Sequence, residues 1–189
     1  LVYLDEVAVS IGLGADAEVK ERVQKAIYGV LANQSAGGSF GLWNPEGAGG
    51  DLWLDAYVTD FIVRAAEHGY DVPQISRDIA LDNLSNRVAY ASDFTNGGEE
   101  IAYSLYVLAR VGRAAVGDLR YYVDSKLDAF ATPLAKAQLG AAMALYGDNQ
   151  RATRAFQAAL AALNKPAPTD VWRRDFGTSL RDDAAVLTL

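Results

Sequence analysis

Apolar residues recur along the chain at helical intervals almost without a break. Ala152, Ala155, Phe156, Ala159, Leu160 and Leu163 fall on one stripe, and Val19, Val23, Ile27, Val30 and Leu31 on a second. Leu119, Tyr122, Val123, Leu127 and Phe130 make a third. These are the i, i+3, i+4, i+7 spacings of a helix with one face on a core, and each segment carries charge on its other face. The stretches from Leu52 to Ala66, Ile101 to Val111 and Leu134 to Tyr146 are different, being apolar nearly all round. A helix without a polar face needs neighbours on every side. The pattern predicts outer helices over 17–33, 73–88, 117–130 and 149–163, alternating with inner helices over 52–68, 99–111 and 133–146. Partial inner helices begin and end the chain. No run of alternating residues bounded by turn signals predicts a sheet.

The breaks alternate as well. Inner helices pass to outer ones through tight turns at Gly69-Tyr70-Asp71, Gly112-Arg113 and Gly147-Asp148. In these a glycine suits the left-handed C′ position, and Asp148 suits the cap of the next helix. Outer helices return through longer loops rich in glycine and aromatics, from Asn33 to Gly50, roughly Arg87 to Gly98, and Asn164 to Gly177. The exception is Ala131-Thr132-Pro133, with Thr132 as cap and Pro133 at the first helical position. The long loops therefore gather at one end, over the N-termini of the inner helices, which is where function is expected.

The predicted fold class is all-α: an α/α toroid of alternating inner and outer helices. It is an incomplete ring of about four helix pairs plus terminal helices, by ordinary helix and loop lengths. An α-solenoid interaction module is the nearest competing architecture, but both helices of its repeats are usually amphipathic. Residues 1–189 read as a single domain, and the apolar character of both ends gives it the look of a piece of a longer polypeptide.

Composition narrows the chemistry. The 189 residues carry 17 basic and 24 acidic side chains, a net charge of −7, which disfavours nucleic acid as a partner. No apolar run reaches the length that spans a bilayer. With no Cys and one His the chain offers no disulfide and no thiol nucleophile and disfavours a protein zinc site, and no metal or cofactor is expected. His68 ends an apolar helix before Gly69, where it suits a C-terminal cap.

Acidic residues cluster at the predicted inner-helix N-termini: Asp51 and Asp55, Glu99 and Glu100, Asp182 and Asp183. Two such carboxylates across a cleft could serve a toroid glycosidase or lyase as general acid and base. The plainer reading is that they cap helices and complement their dipoles. The loop Gln34-Ser35-Ala36-Gly37-Gly38-Ser39-Phe40 has the form Q-x-x-x-G-S-F, in which Gln34 would cap an inner helix and Phe40 would pack on the neighbouring pair. Trp43 and Trp53 in or beside this loop are a candidate binding platform.

Taken together, these blocks resemble the thioester-containing domain of the alpha-2-macroglobulin and complement superfamily, most of all its bacterial members. The resemblance is carried by Leu1-Val2-Tyr3-Leu4-Asp5, by Gly38-Ser39-Phe40-Gly41-Leu42-Trp43, and by Asp51-Leu52-Trp53-Leu54-Asp55-Ala56-Tyr57 through Phe61. Further blocks are Ala102 to Arg110, Gly117 to Tyr122, Thr132 to Ala141 and Ser179 to Ala184. The resemblance implies a non-enzymatic scaffold within a broad-spectrum protease trap that protects a periplasmic or envelope-associated compartment. It implies target proteases and adjoining β-sandwich domains as partners, and no membrane contact by this domain itself. In the members that have one, it also implies a Cys-x-Glu-Gln thioester motif, which is absent from these residues and would lie about ten residues before Leu1; some bacterial members lack the motif altogether. The face toward that thioester would carry Trp43, Trp53, Asp55, Tyr90, Asp93 and Glu99. The segment from Tyr90 to Thr95 matches the place where some complement proteins hold a histidine that relays attack to hydroxyls. It contains none, so in a parent that has the thioester direct attack by amines is expected.

Overall fold

A computed structural model describes residues 17–95, 97–164, 175 and 177–189. Among them it contains eight α-helices and no strand, only two isolated β-bridges, so the chain is all-α. It divides into two compact units, residues 1–83 and 84–189. The partial inner helix expected at the start of the chain, the block Leu1 to Asp5 and most of the loop from Asn164 to Gly177 lie outside the described residues.

In the first unit, α1 (Ala17–Leu31) lays Val23 and Ile27 against Ala65, with Leu31, Phe61 and Tyr70 around them. Its partner α2 (Leu52–Glu67) starts where Asp51 accepts hydrogen bonds from the Trp53 and Leu54 amides. Those are two of the orphan donors at a helix start. It ends at His68, followed by Gly69 at φ +80°. A second cluster joins Phe40, Ile62 and Ala80. The turn after α2 is held to α1 by Gln24, whose side-chain amide donates to the Asp71 carbonyl at 2.8 Å and accepts from the Asp71 N–H at 2.9 Å. The third helix, α3 (Gln74–Ala89), follows Pro73 and runs through the division at residue 83.

The second unit is built around α6 (Pro133–Leu145). Thr132 caps it by accepting from the Ala135 amide at 3.1 Å, with Pro133 in its first turn. All nine residues from Ala135 to Met143 are buried, the helix the sequence marks as apolar on every side. It packs against α4 (Glu99–Arg110) and α7 (Asn149–Leu163), and to a lesser extent against α8 (Ser179–Val186). The α7 face buries Ala152, Ala155 and Ala159, and small residues there let the helices approach closely. Gly140 of α6 meets the ring of Phe156, which a Cβ would approach to 3.1 Å. Asp148 caps α7 through the Arg151 amide, and Gly112 and Gly147 adopt φ of +70° and +76°.

One expected helix is broken. The outer segment 117–130 forms α5 (Val116–Tyr121), then one π-helical turn at Tyr122–Lys126 and a 3-10 turn at Leu127–Ala129. Two interactions from outside the segment engage its C-terminal end. The buried Lys136 of α6 donates to the Leu127 carbonyl at 2.5 Å. Ala129 and Ala131 then pair with Gly97, the first through its carbonyl and the second through its N–H. Backbone groups engaged this way leave the i to i−4 ladder, so the helix cannot continue.

Candidate functional site

The candidate residues fall into two groups, one in each unit, and each group is described by itself.

In the first unit the loop between α1 and α2 is fixed by a buried carboxylate. Asp55, in the first turn of α2, is 0% exposed. It accepts from Ser39 Oγ at 2.7 and 2.8 Å, from the Phe40 amide at 2.8 Å and from Asn83 Nδ2 at 2.9 Å. Between Ser35 and Ser39 the chain turns on itself, the Ser35 amide donating to the Ser39 carbonyl at 2.8 Å. Gly38, at φ +87°, lies so close to α3 that a Cβ would stand 2.0 Å from the Ile79 carbonyl oxygen. No other residue fits there. Phe40 then enters the core, as the motif implies. Gln34 departs from expectation: its amide donates to the Ser76 carbonyl of α3 at 2.8 Å rather than capping an inner helix. The loop has folded onto α3, which places Ser76 in reach.

Past Gly41 the loop turns outward. Leu42 and Trp43 are 70% and 89% exposed. Asn44 caps a 3-10 turn at Pro45–Gly47, accepting from the Gly47 amide at 2.9 Å. Trp53 stacks on Tyr57 with ring centroids 5.1 Å apart and planes 10° from parallel. Trp43 and the Trp53–Tyr57 pair are thus surface aromatics, whereas Asp55 has no surface to offer. Burial and its bonds to Ser39, Phe40 and Asn83 place Asp55 in the core as the anchor of this loop rather than on an exposed face.

In the second unit Tyr90 follows α3 and is 87% exposed. Asp93 accepts from the Phe94 amide at 2.9 Å and pairs with Lys126 at 2.6 Å. Together the ammonium of Lys126 and this N–H hold the Asp93 carboxyl below its ordinary value, and Asp93 in turn raises the Lys126 ammonium. Next to this ion pair Phe94 meets Phe130 edge-on at 5.0 Å and stacks with Tyr122 at 6.2 Å. Burial, then the nearby charge of Asp118, pushes the Tyr122 hydroxyl up. Gly98 sits under the rings at φ +75°, where a Cβ would lie 2.5 Å from Phe94 and 2.9 Å from Phe130. Glu99 opens α4 directly after it, partly buried in the first turn. Glu99 in the first turn of α4 is placed to complement the helix dipole, whereas Asp93 is engaged in a loop by Lys126 and the Phe94 amide.

Lys126 and Lys136 had no signal in the sequence. Both act through contacts with residues far along the chain or on another element, which periodicity does not encode. His68 caps α2 through its backbone N–H. Among the described residues no group of three or more His, Asp and Glu side chains converges as a metal site, and no helix is long and apolar enough to cross a membrane.

Comparison with known proteins gives these features a setting. No protein-family model matches the chain. It is 35% identical to alpha-2-macroglobulin of Escherichia coli K12, over 95% of this chain and 11% of the relative. It is 29% identical to alpha-2-macroglobulin of Xylella fastidiosa strain Temecula1, over 100% of this chain and 12% of the relative. The chain thus spans only about one-ninth of the curated relatives it matches. Among solved structures it aligns with the native conformation of the E. coli protein at a TM-score of 0.81 and 33% identity, covering 96% of this chain and 12% of that one. With the trypsin-activated E. coli protein the TM-score is 0.82 at 31% identity, and with Salmonella alpha-2-macroglobulin reacted with methylamine it is 0.84 at 32%. Each of these covers 99% of this chain and 13% of the other.

Proposed function

The chain belongs by homology to the bacterial alpha-2-macroglobulins, and on that premise we propose that it is the helical scaffold of a protease trap. In this reading the chain is part of the thioester-containing α/α toroid and performs no catalysis itself. A protease cleaves elsewhere in the longer polypeptide, and a conformational change then exposes a thioester held outside these 189 residues. Amine groups of the protease attack it directly. The observation that carries the proposal is the match along 95% of the chain to a relative of the same name as the trypsin-activated structure.

Two features support the finer points. The TM-scores to native, trypsin-activated and methylamine-reacted relatives differ by no more than 0.03, so we take the segment to keep its fold while its surroundings rearrange. The absence of a histidine between Tyr90 and Thr95 favours amines over hydroxyls as acceptors, since the segment has no imidazole to act as the relay base. Location in the periplasm or envelope, with protection against foreign proteases as the purpose, belongs to the same proposal. A glycosidase reading has no support among the relatives, which are alpha-2-macroglobulins, and Asp55, one of its candidate carboxylates, is buried.

The test uses the full-length polypeptide. Incubated with trypsin, a trap should leave the protease able to cleave a small peptide substrate while shielding it from a protein inhibitor. Labelled methylamine should be incorporated and labelled glycerol should not. Trypsin that stays fully open to the protein inhibitor would overturn the trap, and equal labelling by the two probes would overturn amine selectivity.

A further inference from the structure

In the second unit, residues 92–95 form a strap with few ties. Ser92, Asp93 and Thr95 are exposed and Phe94 is half-buried. Among the described residues no backbone hydrogen bond joins residues 92–95 to another element, and the Phe94 N–H donates to the neighbouring Asp93 carboxylate instead. Two side chains hold the strap down. Asp93 pairs with Lys126 at 2.6 Å, and the Phe94 ring lies against Phe130 and Tyr122. The carboxylate of that pair is 72% exposed, and an ion pair open to water holds weakly. The seat under the ring is held without help from the strap. Gly97 donates to the Ala129 carbonyl at 3.2 Å and accepts from the Ala131 N–H at 3.1 Å. These bonds bracket Phe130 and position the adjacent Gly98. Phe130 meets Tyr122 edge-on at 5.8 Å. A Cβ on Gly98 would enter the Phe94 ring at 2.5 Å, so the glycine makes room for one ring.

The π turn gives the seat its chemistry. Tyr122 and Lys126 are its first and last residues; the former is a wall of the seat and the latter the cation at its mouth. Such turns within helices gather at functional sites. When the strap lifts it takes the Asp93 carboxylate with it, leaving the ammonium of Lys126 without that partner and the rings with a vacancy. A neutral or cationic aromatic would fill the vacancy and strand the charge. A ring preceded by a carboxylate satisfies both, as the resident Asp93–Phe94 pair does. The two other Asp-Phe pairs of this chain, at 60–61 and 175–176, have their carboxylates buried against Arg64 and Arg181. A neighbouring copy therefore has neither on offer.

We propose that Phe130, Tyr122, Gly98 and Lys126 form a binding site for an acidic–aromatic peptide segment of another protein, Asp or Glu followed by Phe or Tyr, and that Asp93–Phe94 is its built-in competitor. The site is independent of protease capture. Titration of the 189-residue chain with N-acetyl-Asp-Phe-amide, read from the amide shifts of Gly97 and Gly98, tests it. Phe94→Ala empties the seat and should bind the peptide with a Kd of about 1 mM or tighter. The wild-type chain should bind it about tenfold more weakly, since only the fraction with the strap open is competent. Asp93→Asn leaves every ring in place and loosens the latch, so it should bind about threefold more tightly than wild type. In Phe94→Ala, N-acetyl-Ala-Phe-amide and N-acetyl-Lys-Phe-amide should bind at least about tenfold more weakly than the Asp-Phe peptide. Equal binding of the Asp-Phe and Ala-Phe peptides overturns the site as an acidic–aromatic one. Binding by wild type as tight as by Phe94→Ala overturns the competition. No binding by Asp93→Asn, in which no ring is lost, overturns the proposal whether or not Phe94→Ala folds.

Discussion

Ser39 and Asp55 lie 16 residues apart in sequence and meet in the core, where the Ser39 hydroxyl donates to the Asp55 carboxylate at 2.7 and 2.8 Å. The contact ties the middle of the long first loop to the opening turn of α2. Through the Phe40 amide it also sets the angle at which Phe40 enters its cluster. A residue that looks catalytic by position is the anchor from which the exposed end of the loop projects.

Asp55→Ala is therefore expected to leave the Ser39 hydroxyl, the Phe40 N–H and the Asn83 amide without their shared acceptor. Each buried polar group stranded in this way costs about 1–3 kcal/mol, so a total loss of about 3 kcal/mol or more is expected in urea denaturation. Asp55→Asn keeps one acceptor oxygen and should lose less. A loss below about 1 kcal/mol for the alanine variant would show that the loop is held by other means.

Gly38 and Gly29 make an opposed pair. A methyl at Gly38 strikes the Ile79 carbonyl and adopts φ +87°, so Gly38→Ala should destabilise by about 1–3 kcal/mol. Gly29 lies within α1 with open space around it, and Gly29→Ala should stabilise by about 0.5–1 kcal/mol through helix propensity. Thermal melts of the two variants should move in opposite directions.

In the second unit Phe130 is 1% exposed and packs against Phe94 and Tyr122. Removing its ring leaves a cavity, so Phe130→Ala should cost about 3–5 kcal/mol. Amide hydrogen exchange should then rise at Gly97 and Ala131, whose pairing brackets this position. Unchanged exchange at those two amides would separate the ring from the bridge.

Acid stability follows from the ion pairs on the second unit. Hydrogen bonds from Arg151 hold Asp124 and Asp148 below their ordinary value of 3.8, and Lys126 does the same for Asp93. A lowered carboxyl contributes stability that is complete above pH 3.8 and lost as pH falls through the folded value below it. Lys126, raised above 10.5 by Asp93, has the opposite sign. Its contribution is complete below pH 10.5 and lost as pH rises through its folded value. Arg151→Ala should return the Asp124 titration to its ordinary range, as read from carboxyl 13C shifts. A wild-type Asp124 that already titrates there would contradict the pairing.

Trp43→Ala should change the stability of the 189-residue chain by no more than about 0.5 kcal/mol, because the ring touches little when 89% exposed. Chemical denaturation of the two chains checks this. A larger loss would mean that Trp43 supports its own loop.

Periodicity and capping signals located six of the eight described helices to within about two residues, the exceptions being the segment 117–130, which leaves the α-helix after Tyr121, and α8, for which they gave no bounds, because a 3.6-residue repeat and its caps are local properties of the chain. Thr132, Asp148, Gly69, Gly112 and Gly147 stop or start helices through bonds to residues two to four positions away, and so were readable in advance. The fully apolar stretch at 133–146 likewise announced that it would be enclosed. Tertiary contacts decided the rest. Whether Asp55 faces solvent or Ser39 depends on how the loop folds back. How the segment 117–130 ends depends on Lys136 reaching the Leu127 carbonyl and on Gly97 pairing with Ala129 and Ala131. The destination of Gln34 depends on α3 lying beside the loop. No spacing in the sequence records those meetings, because hydrogen bonds between distant residues exist only once packing has brought the partners within about 3 Å.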